Sequence, residues 1–232
     1  MRTRYPVGVS VGPWSHGIVF FVEVFENHEW RISPGRGDLP CNLRYSCAHC
    51  VFGGEALLDS QQQSEVEEIK AFYDSVYYAD ARPAASPALL RHYDRLHHKM
   101  SLGTSPAVLD VACGLGEWLK VCEDKGASVA GIDLSEKAID ICRQVMPQGE
   151  FYAQAAETLP FADGSFDLIT CLGSLEHFVD PVGSMREMVR VARPGATVLL
   201  LVPNKDFLSR KLGLFRGTYQ VDAKEVVRTL PE

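Results

Sequence analysis

The chain has 232 residues and a mass of 25.7 kDa, which is enough for one large domain or two small ones. Hydrophobic residues make up 46% and charged residues 23%, so a wholly disordered chain, a collagen-like repeat and a coiled coil are excluded. The net charge of −7 disfavours a nucleic-acid partner, because an acidic protein repels a phosphate backbone.

The seven cysteines are too dilute for a disulfide scaffold, and the simplest compartment for them is a reducing cytoplasm. Four of them, Cys113, Cys122, Cys142 and Cys171, fall in apolar stretches that indicate a core or a cofactor loop. The longest apolar run, 18–25, is interrupted by an acid and is far shorter than the roughly 20 residues that span a bilayer. No membrane span is predicted.

Residues 1–64 are rich in Gly, Pro and Cys and predict an irregular N-terminal extension, expected to be disordered, that ends in the polar run 61–64. Within it, 18–25 and 29–32 are candidates for a hairpin. A zinc site is a further hypothesis, but one C-x-x-C without a second pair favours unliganded cysteines, and no metal site is predicted. The candidate ligands are Cys41, Cys47, His49 and Cys50.

From residue 65 to residue 232 the pattern predicts one domain in three parts. The first part, 65–105, is a helical lid whose second helix runs from about Leu89 to His98. The second part, 106–202, alternates apolar strands with amphipathic helices, which indicates a parallel sheet wrapped by helices. Its strands are predicted at 107–111, 128–132, 150–153, 166–171 and 196–202. The third part, 203–232, is an incomplete C-terminal segment.

The first of these strands indicates a ligand site, because it ends in a turn that contains Gly114 and Gly116. Such a turn lets a ligand lie against bare backbone N–H groups. Asp133 ends the second strand, 19 residues after Gly114, where a carboxylate can accept both hydroxyls of a ribose. Together, these features predict an adenosine-containing ligand. The third position of a dinucleotide fingerprint holds Leu119, which disfavours pyrophosphate.

Five ordered motifs resemble those of the class I S-adenosylmethionine-dependent methyltransferases, in particular the type 11 branch that acts on small molecules. They are 110–116 (DVACGLG), 131–135 (GIDLS), 156–161 (AETLPF), 164–167 (GSFD) and 175–178 (LEHF). The resemblance covers about 65–230 and implies a Rossmann-like, doubly wound α/β fold with S-adenosylmethionine as the cofactor and a small-molecule methyl acceptor as the substrate.

The resemblance also implies a role for each residue that matches a motif. Asp110 and the turn would hold the methionine end of the cofactor, Asp133 the ribose and Leu134 the adenine. An aromatic residue before the sheet, taken as Tyr73 from a group that includes Tyr77 and Tyr78, would close over the cofactor carboxylate. The implied cofactor-binding residues are Asp110, Ala112, Cys113, Gly114, Gly116, Asp133, Leu134, Ala155, Ala156, Glu157, Cys171 and Tyr73.

His177 follows the fourth strand of the predicted sheet and is the candidate general base, a role required only for a hydroxyl or acidic carbon acceptor. A structural hydrogen bond is its alternative role, and the favoured one. Two alternatives to methyl transfer remain open: a non-catalytic module that binds the cofactor, and, less favoured, an NAD-dependent oxidoreductase.

In the family, the fifth parallel strand is covered by a C-terminal antiparallel hairpin, and the segment after residue 202 does not predict one. An apolar edge strand left uncovered is an aggregation hazard. A truncated chain is the favoured explanation and a homodimer paired through this edge is a second. Occupation of the edge by the N-terminal hairpin is ranked last.

Overall fold

The computed structural model describes residues 17–24, 30–34, 43–45, 58–80, 85–100 and 102–203, the first three ranges by their backbone. Its strands are β1 (Gly17–Val24), β2 (Trp30–Pro34), β3 (Leu43–Tyr45), β4 (Ala107–Val111), β5 (Ser128–Asp133), β6 (Glu150–Ala153), β7 (Phe166–Leu172) and β8 (Ala192–Pro203). Its α-helices are α1 (Ser60–Phe72), α2 (Pro87–Lys99), α3 (Glu117–Glu123), α4 (Glu136–Val145) and α5 (Pro181–Val191), with a π-helical turn at Tyr73–Tyr77 and a 3₁₀ turn at Leu175–His177.

The strands form one sheet in the order β3-β2-β1-β8-β7-β4-β5-β6. The five strands from β8 to β6 are parallel, and β1, β2 and β3 continue the sheet in antiparallel pairs. This arrangement confirms the predicted doubly wound α/β fold with a mainly parallel sheet. It brings the carboxyl ends of β4, β5 and β7 to one sheet edge, where an open α/β sheet binds its ligand.

The parallel strands are buried on both faces, as their continuous apolar runs require. Leu109 and Ile169 lie on the face that packs against Met188 of α5. On the other face, Val108 and Leu168 pack against α3 and α4. The four described cysteines are buried and free, in agreement with their apolar sequence context. Within the described ranges, no helix combines the length and the apolar character that a bilayer span requires.

Helix α1 begins earlier than the sequence pattern predicted. Its N-cap is Asp59, whose side chain accepts hydrogen bonds from the backbone N–H groups of Gln61 and Gln62. The Gln62 side chain in turn accepts from Asp59 N, which completes a capping box. The polar run 61–64 is therefore the first turn of the lid helix, and its interpretation as the end of an irregular extension is corrected.

The boundary between α5 and β8 also differs from the prediction. The helix starts as expected, with Asp180 as N-cap and proline at the first helical position. It ends at Val191, and Ala192 is already extended. Pro194, two residues after this C-cap, cannot continue a helix. A register shift in the pairing of β8 with β7 follows between Phe166 and Leu168.

The outer edge of β8 is paired with β1 in an antiparallel register that runs from Gly17 opposite Pro203 to Glu23 opposite Thr197. Strand β1 also pairs with β2, which confirms the candidate hairpin. Of the three explanations for the β8 edge, the structure shows the arrangement that was placed last, occupation by the N-terminal hairpin. The expectation of an irregular N-terminal segment is corrected for these strands. Residues 204–232 lie outside the described residues.

A physical reason for this pairing is that an edge strand presents unpaired N–H and C=O groups that any available strand can satisfy. The hairpin satisfies them from within the same chain. A homodimer joined through the β8 edge consequently loses its structural basis, because that edge is occupied.

Strand β1 has a neighbour on each side, so a proline within it removes a backbone donor from the sheet. We expect Phe21→Pro to destabilise the protein by about 1 to 3 kcal/mol, because a carbonyl of the sheet loses its donor. For a chain of this size, that loss lowers Tm by roughly 2 to 12 °C. Exposure of the β8 edge should also cause self-association. The checks are thermal unfolding and size-exclusion chromatography.

Phe21→Leu, which keeps the backbone N–H, is the matched control and should resemble the wild type in both measurements. A Phe21→Pro variant as stable and as monodisperse as Phe21→Leu would show that β1 does not contribute to the sheet in solution.

Candidate functional site

The turn after β4 has a backbone that few side chains tolerate. Ala112, Gly114 and Gly116 have φ of 61°, 54° and 77°, in the left-handed region that costs a non-glycine residue roughly 1–2 kcal/mol. Cys113 N donates to Ile132 O over 2.8 Å, which ties the turn to the end of β5. A Cβ on Gly116 would lie 2.7 Å from Met146 Cε, so this glycine permits close packing against the end of α4.

Asp133, the last residue of β5, joins the turn to the start of α4. Its Oδ2 accepts a hydrogen bond from Gly114 N and its Oδ1 accepts one from Ser135 N, each over 2.9 Å. Burial raises the pKa of this carboxyl, and the N–H bonds from Ser135, Gly114 and Leu134 oppose that rise. Each carboxylate oxygen has a further lone pair, so the group can still accept from a ligand.

Asp110 lies on β4 at the floor of the same site and is 3% exposed. Its Oδ1 accepts a hydrogen bond of 2.5 Å from the hydroxyl of Thr170, which itself accepts from Trp118 Nε1 over 3.0 Å. Burial raises the pKa of Asp110 well above its ordinary value of 3.8. The Thr170 hydrogen bond opposes this rise, and the nearby charges of Asp133 and Glu117 add to it.

The lid is shaped by the π-helical turn that follows α1. Tyr78 N donates to Tyr73 O over 2.8 Å, an i to i+5 bond that brings residues five apart onto the same face. The ring centroids of Tyr73 and Tyr78 are 6.0 Å apart, and those of Tyr77 and Tyr78 are 4.8 Å apart. A Cβ on Gly114 would lie 3.1 Å from Tyr78 Oη, so the lid closes directly on the glycine turn.

A second contact fastens the lid to the loop after β5. Ser135 Oγ donates to Asp74 Oδ1 over 2.5 Å, and Lys70 Nζ lies 2.9 Å from Asp74 Oδ2. Burial alone would raise the pKa of Asp74, but the hydrogen bonds from Ser135 and Lys70 outweigh it and lower the pKa. Because Ser135 N also bonds Asp133, the lid and the carboxylate at the end of β5 share one partner.

These elements enclose a cavity of about 350 Å³ at the carboxyl ends of β4, β5 and β7. Its walls include Asp110, Glu117 and Asp133, and no Lys or Arg occurs among the described residues that line it. A smaller adjoining cavity of about 30 Å³ lies past Asp133 and Leu134, against Gln154 and Ala156. The larger cavity is therefore acidic, with aromatic walls contributed by Tyr73, Tyr77, Tyr78, Tyr93, Trp118 and Phe178.

Most of the residues predicted for the site line these cavities. They are Tyr73, Asp110, Ala112, Cys113, Gly114, Asp133, Leu134, Ala156, Glu157 and His177. Glu157 also accepts a hydrogen bond from Asp180 N over 3.0 Å, so its carboxylate holds the start of α5. His177 borders both cavities, and its Nε2 lies 3.8 Å from Glu176 Oε1.

Three predicted residues do not line either cavity: Gly116, Ala155 and Cys171. Cys171 is fully buried in the core beside Ile169, because side chains alternate along β7, and the neighbouring Leu172 and Gly173 face the cavity instead. Gly116 packs against α4, as described above. The placement of Cys171 near the reacting atoms is thus corrected.

Sequence reasoning missed the partners of the predicted residues. Thr170 and Trp118 were not selected, and neither was Tyr93, whose ring centroid lies 5.7 Å from that of Trp118. An available signal was the polar Thr170 within the otherwise apolar run 168–172. The hypothetical zinc ligands lie outside the described residues, and among those described no cluster suited to a metal ion occurs.

The fold and the acidic cavity define a class of α/β proteins that bind a nucleoside-containing ligand at the carboxyl edge of a parallel sheet. The family model for a methyltransferase domain matches residues 109–200. The sequence is 31% identical over 169 residues to a demethylmenaquinone methyltransferase of Renibacterium salmoninarum, a match that covers 71% of this chain and 68% of the relative. The chain belongs to the type 11 family of class I S-adenosylmethionine-dependent methyltransferases, which confirms the predicted family and cofactor.

Other relatives are matched over a shorter span. A demethylmenaquinone methyltransferase of Chlorobaculum parvum is 33% identical over 48% of this chain, and a ubiquinone biosynthesis O-methyltransferase of Aromatoleum aromaticum is 36% identical over 48% of it. The matches span 55% and 50% of those relatives. Among solved structures, the PH0226 protein of Pyrococcus horikoshii is similar, with a TM-score of 0.52, 25% identity and coverage of 64% of this chain and 73% of that one.

The raised pKa of Asp110 has a consequence for stability. A carboxyl whose pKa is raised on folding binds more protons in the folded state, so its contribution to stability falls as the pH rises from about 4 through the folded-state pKa. We therefore expect Asp110→Asn to be more stable than the wild type at neutral pH. Each 1 kcal/mol of unfolding free energy gained by removing the buried charge should raise Tm by roughly 2 to 4 °C. The measurement is thermal unfolding between pH 5 and pH 8.

Asp140→Asn, a change at an exposed position of α4, is the control and should leave the pH dependence of Tm unchanged. A Tm of Asp110→Asn below that of the wild type at every pH would mean that the charge of Asp110 stabilises the folded protein, contrary to this account.

Proposed function

We propose that this chain binds S-adenosylmethionine in the acidic cavity and transfers its methyl group to a small-molecule acceptor. The observation that carries the proposal is the presence of Asp110, Glu117 and Asp133 on the cavity walls, with no Lys or Arg among the described lining residues. A sulfonium and an ammonium group compensate such buried negative charge, whereas the pyrophosphate of a dinucleotide adds to it.

The residues present fit the two ends of this cofactor. At the ribose end, the Asp133 carboxylate can accept hydrogen bonds from the ribose hydroxyls, because the bonds from Gly114 N and Ser135 N leave one lone pair on each oxygen. Leu134 and Ala156 line the smaller cavity next to Asp133, on the side where the adenine attached to that ribose would lie.

At the methionine end, Asp110 offers a negative charge and the lid offers phenol hydroxyls. Burial raises the pKa of Tyr73 to about 12, with the charge of Asp133 adding to the effect. Burial also raises the pKa of Tyr77 and Tyr78. The three phenols therefore stay protonated at neutral pH and can donate hydrogen bonds to the carboxylate of the cofactor.

When bound, the cofactor supplies a methyl group on a sulfonium, which is readily transferred to a nucleophile. The protein needs chiefly to align the acceptor and to exclude water. Leu172 ends β7, and Gly173 and Ser174 follow it at the cavity, where an acceptor would approach. The lid formed by α1 and the π-helical turn lines the same cavity.

We propose His177 as the residue that removes a proton from a hydroxyl acceptor. It lies in the 3₁₀ turn after β7, borders both cavities and has a side chain that is 9% exposed. An O-methyltransferase acting in ubiquinone biosynthesis is among the relatives, which supports a hydroxyl acceptor for this chain. An acceptor that is already a strong nucleophile would not need this proton transfer.

The direct test of the proposal is calorimetric titration with S-adenosylmethionine, S-adenosylhomocysteine and NAD, followed by a methyl-transfer screen over hydroxyl, amine and carbon acceptors. We expect binding of the first two ligands, no binding of NAD, and turnover on one acceptor class. Binding of NAD without binding of S-adenosylmethionine would refute the proposal. Cofactor binding without turnover on any class would instead favour a non-catalytic module.

For the site itself, we expect Asp133→Ala to weaken binding of S-adenosylhomocysteine by about 1 to 3 kcal/mol, because hydrogen bonds to a charged group are lost. Calorimetry measures the change. Asp140→Ala on the exposed face of α4 is the control and should bind as the wild type does. Equal affinities of Asp133→Ala and Asp140→Ala would exclude Asp133 from the site.

For the lid, we expect Asp74→Ala to release S-adenosylhomocysteine faster, by about threefold to fivefold, because the lid loses its hydrogen bond to Ser135. Stopped-flow displacement gives the rate. Glu68→Ala, at an exposed position of α1, removes a charge from the same helix and serves as the control. A dissociation rate of Asp74→Ala equal to that of Glu68→Ala would show that this contact does not hold the lid.

A further inference from the structure

Thr170 lies beside Asp110 in the register of β7 with β4 and is completely buried. Its hydroxyl accepts a hydrogen bond from Trp118 Nε1 over 3.0 Å and lies 2.5 Å from Asp110 Oδ1. The three side chains form a continuous polar path inside an otherwise apolar core. A polar group is costly there unless it is hydrogen-bonded, so the path requires an explanation.

The direction of the path follows from the donors available. An indole N–H can only donate, so the Thr170 hydroxyl accepts from Trp118 and its single proton remains for another partner. Two acceptors are within reach, Asp110 Oδ1 at 2.5 Å and Leu109 O at 3.3 Å. The shorter contact is to a carboxylate, and hydrogen bonds to ionised acceptors are the stronger ones. The proton is therefore donated to Asp110.

The other groups around Asp110 do not stabilise its charge. Asp133 at the end of β5 and Glu117 at the start of α3 are acids, and both raise its pKa. Among the described residues, the other titratable groups that interact with it are neutral phenols and thiols from α2, α3, the glycine turn and β7. They are Tyr93, Cys122, Cys113 and Cys171. The hydrogen bond from Thr170 thus opposes the effects of burial and of like charges.

We propose that Thr170 is a positioning residue for cofactor binding: with Trp118 behind it, its hydroxyl holds the Asp110 carboxylate ionised and directed at the cavity, and so sets the lowest pH at which a cationic cofactor binds. The inference rests on the proposed function, because the cation in question is S-adenosylmethionine. Thr170 acts through Asp110, not on the reacting atoms.

The sign of the pH effect follows from linkage. A cation binds better to the ionised carboxylate, so affinity falls as the pH drops through the pKa of Asp110. Without the Thr170 donor, that pKa rises further, and affinity is lost at a higher pH. Asp133 titrates in all variants alike, so the difference between variants isolates Asp110.

The experiment is calorimetric titration of S-adenosylmethionine between pH 5 and pH 8 for the wild type, Thr170→Val and Thr170→Ser. Valine keeps the approximate shape but cannot donate, and serine restores the hydroxyl. We expect the pH of half-maximal affinity to rise by about one unit in Thr170→Val, with about tenfold weaker binding below that pH. Thr170→Ser should restore the wild-type profile.

The control for a purely structural effect is Ile169→Val on the same strand, whose side chain lies in the core on the other face of the sheet. This variant should lower Tm without changing the pH dependence of S-adenosylmethionine affinity. If Thr170→Val does not fold, Trp118→Phe removes the donor behind Thr170 and should move the profile in the same direction by a smaller amount.

A wild-type pH profile in Thr170→Val, or in Trp118→Phe where it is used instead, would overturn the inference. So would a profile in Thr170→Ser that stays shifted like that of Thr170→Val. The proposed function fails separately, since it requires that the wild type bind S-adenosylmethionine at some pH. If the wild type binds S-adenosylmethionine and the variants show the same pH profile, only the role of Thr170 is refuted and the proposed function stands.

Discussion

The carboxylate of Asp133 links parts of the site that are far apart in the chain. Its two oxygens bond the backbone N–H of Gly114 in the turn after β4 and that of Ser135 before α4. Ser135 in turn bonds Asp74 of the lid. Asp133 therefore joins the turn after β4 to the start of α4 directly and to the lid through Ser135, and the shape of the cavity depends on its position. This geometry is possible because β5 ends at Asp133.

The same arrangement concentrates negative charge where water is largely excluded. Asp110 and Asp133 are both buried, and burial raises the pKa of each. Keeping carboxylates in such a place costs stability unless their charge is compensated. A cationic ligand supplies that compensation, so the site is stabilised when it is filled. The buried carboxylates therefore lower the stability of the empty protein and favour a sulfonium cofactor over an anionic dinucleotide.

Much of the site could be predicted because its residues obey local rules. A turn that needs positive φ selects glycine at position 114, and the acid required at the end of β5 is visible as Asp133. The tyrosine cluster was only partly predictable, since an i to i+5 bond in the π-helical turn has no simple periodicity. Cys171 was misplaced by one position, which in a strand reverses the face of the sheet. The pairing of β1 with β8 joins segments about 180 residues apart, and no local pattern indicates such a contact.

The central claim is that Asp133 holds the ribose of S-adenosylmethionine at the carboxyl edge of a sheet completed by β1. The most direct measurement is a crystal structure of the protein with S-adenosylhomocysteine. The account predicts both ribose hydroxyls within hydrogen-bond distance of the Asp133 carboxylate, and Gly17 opposite Pro203 in the sheet. A ligand bound elsewhere, or a ribose without contact to Asp133, would contradict it.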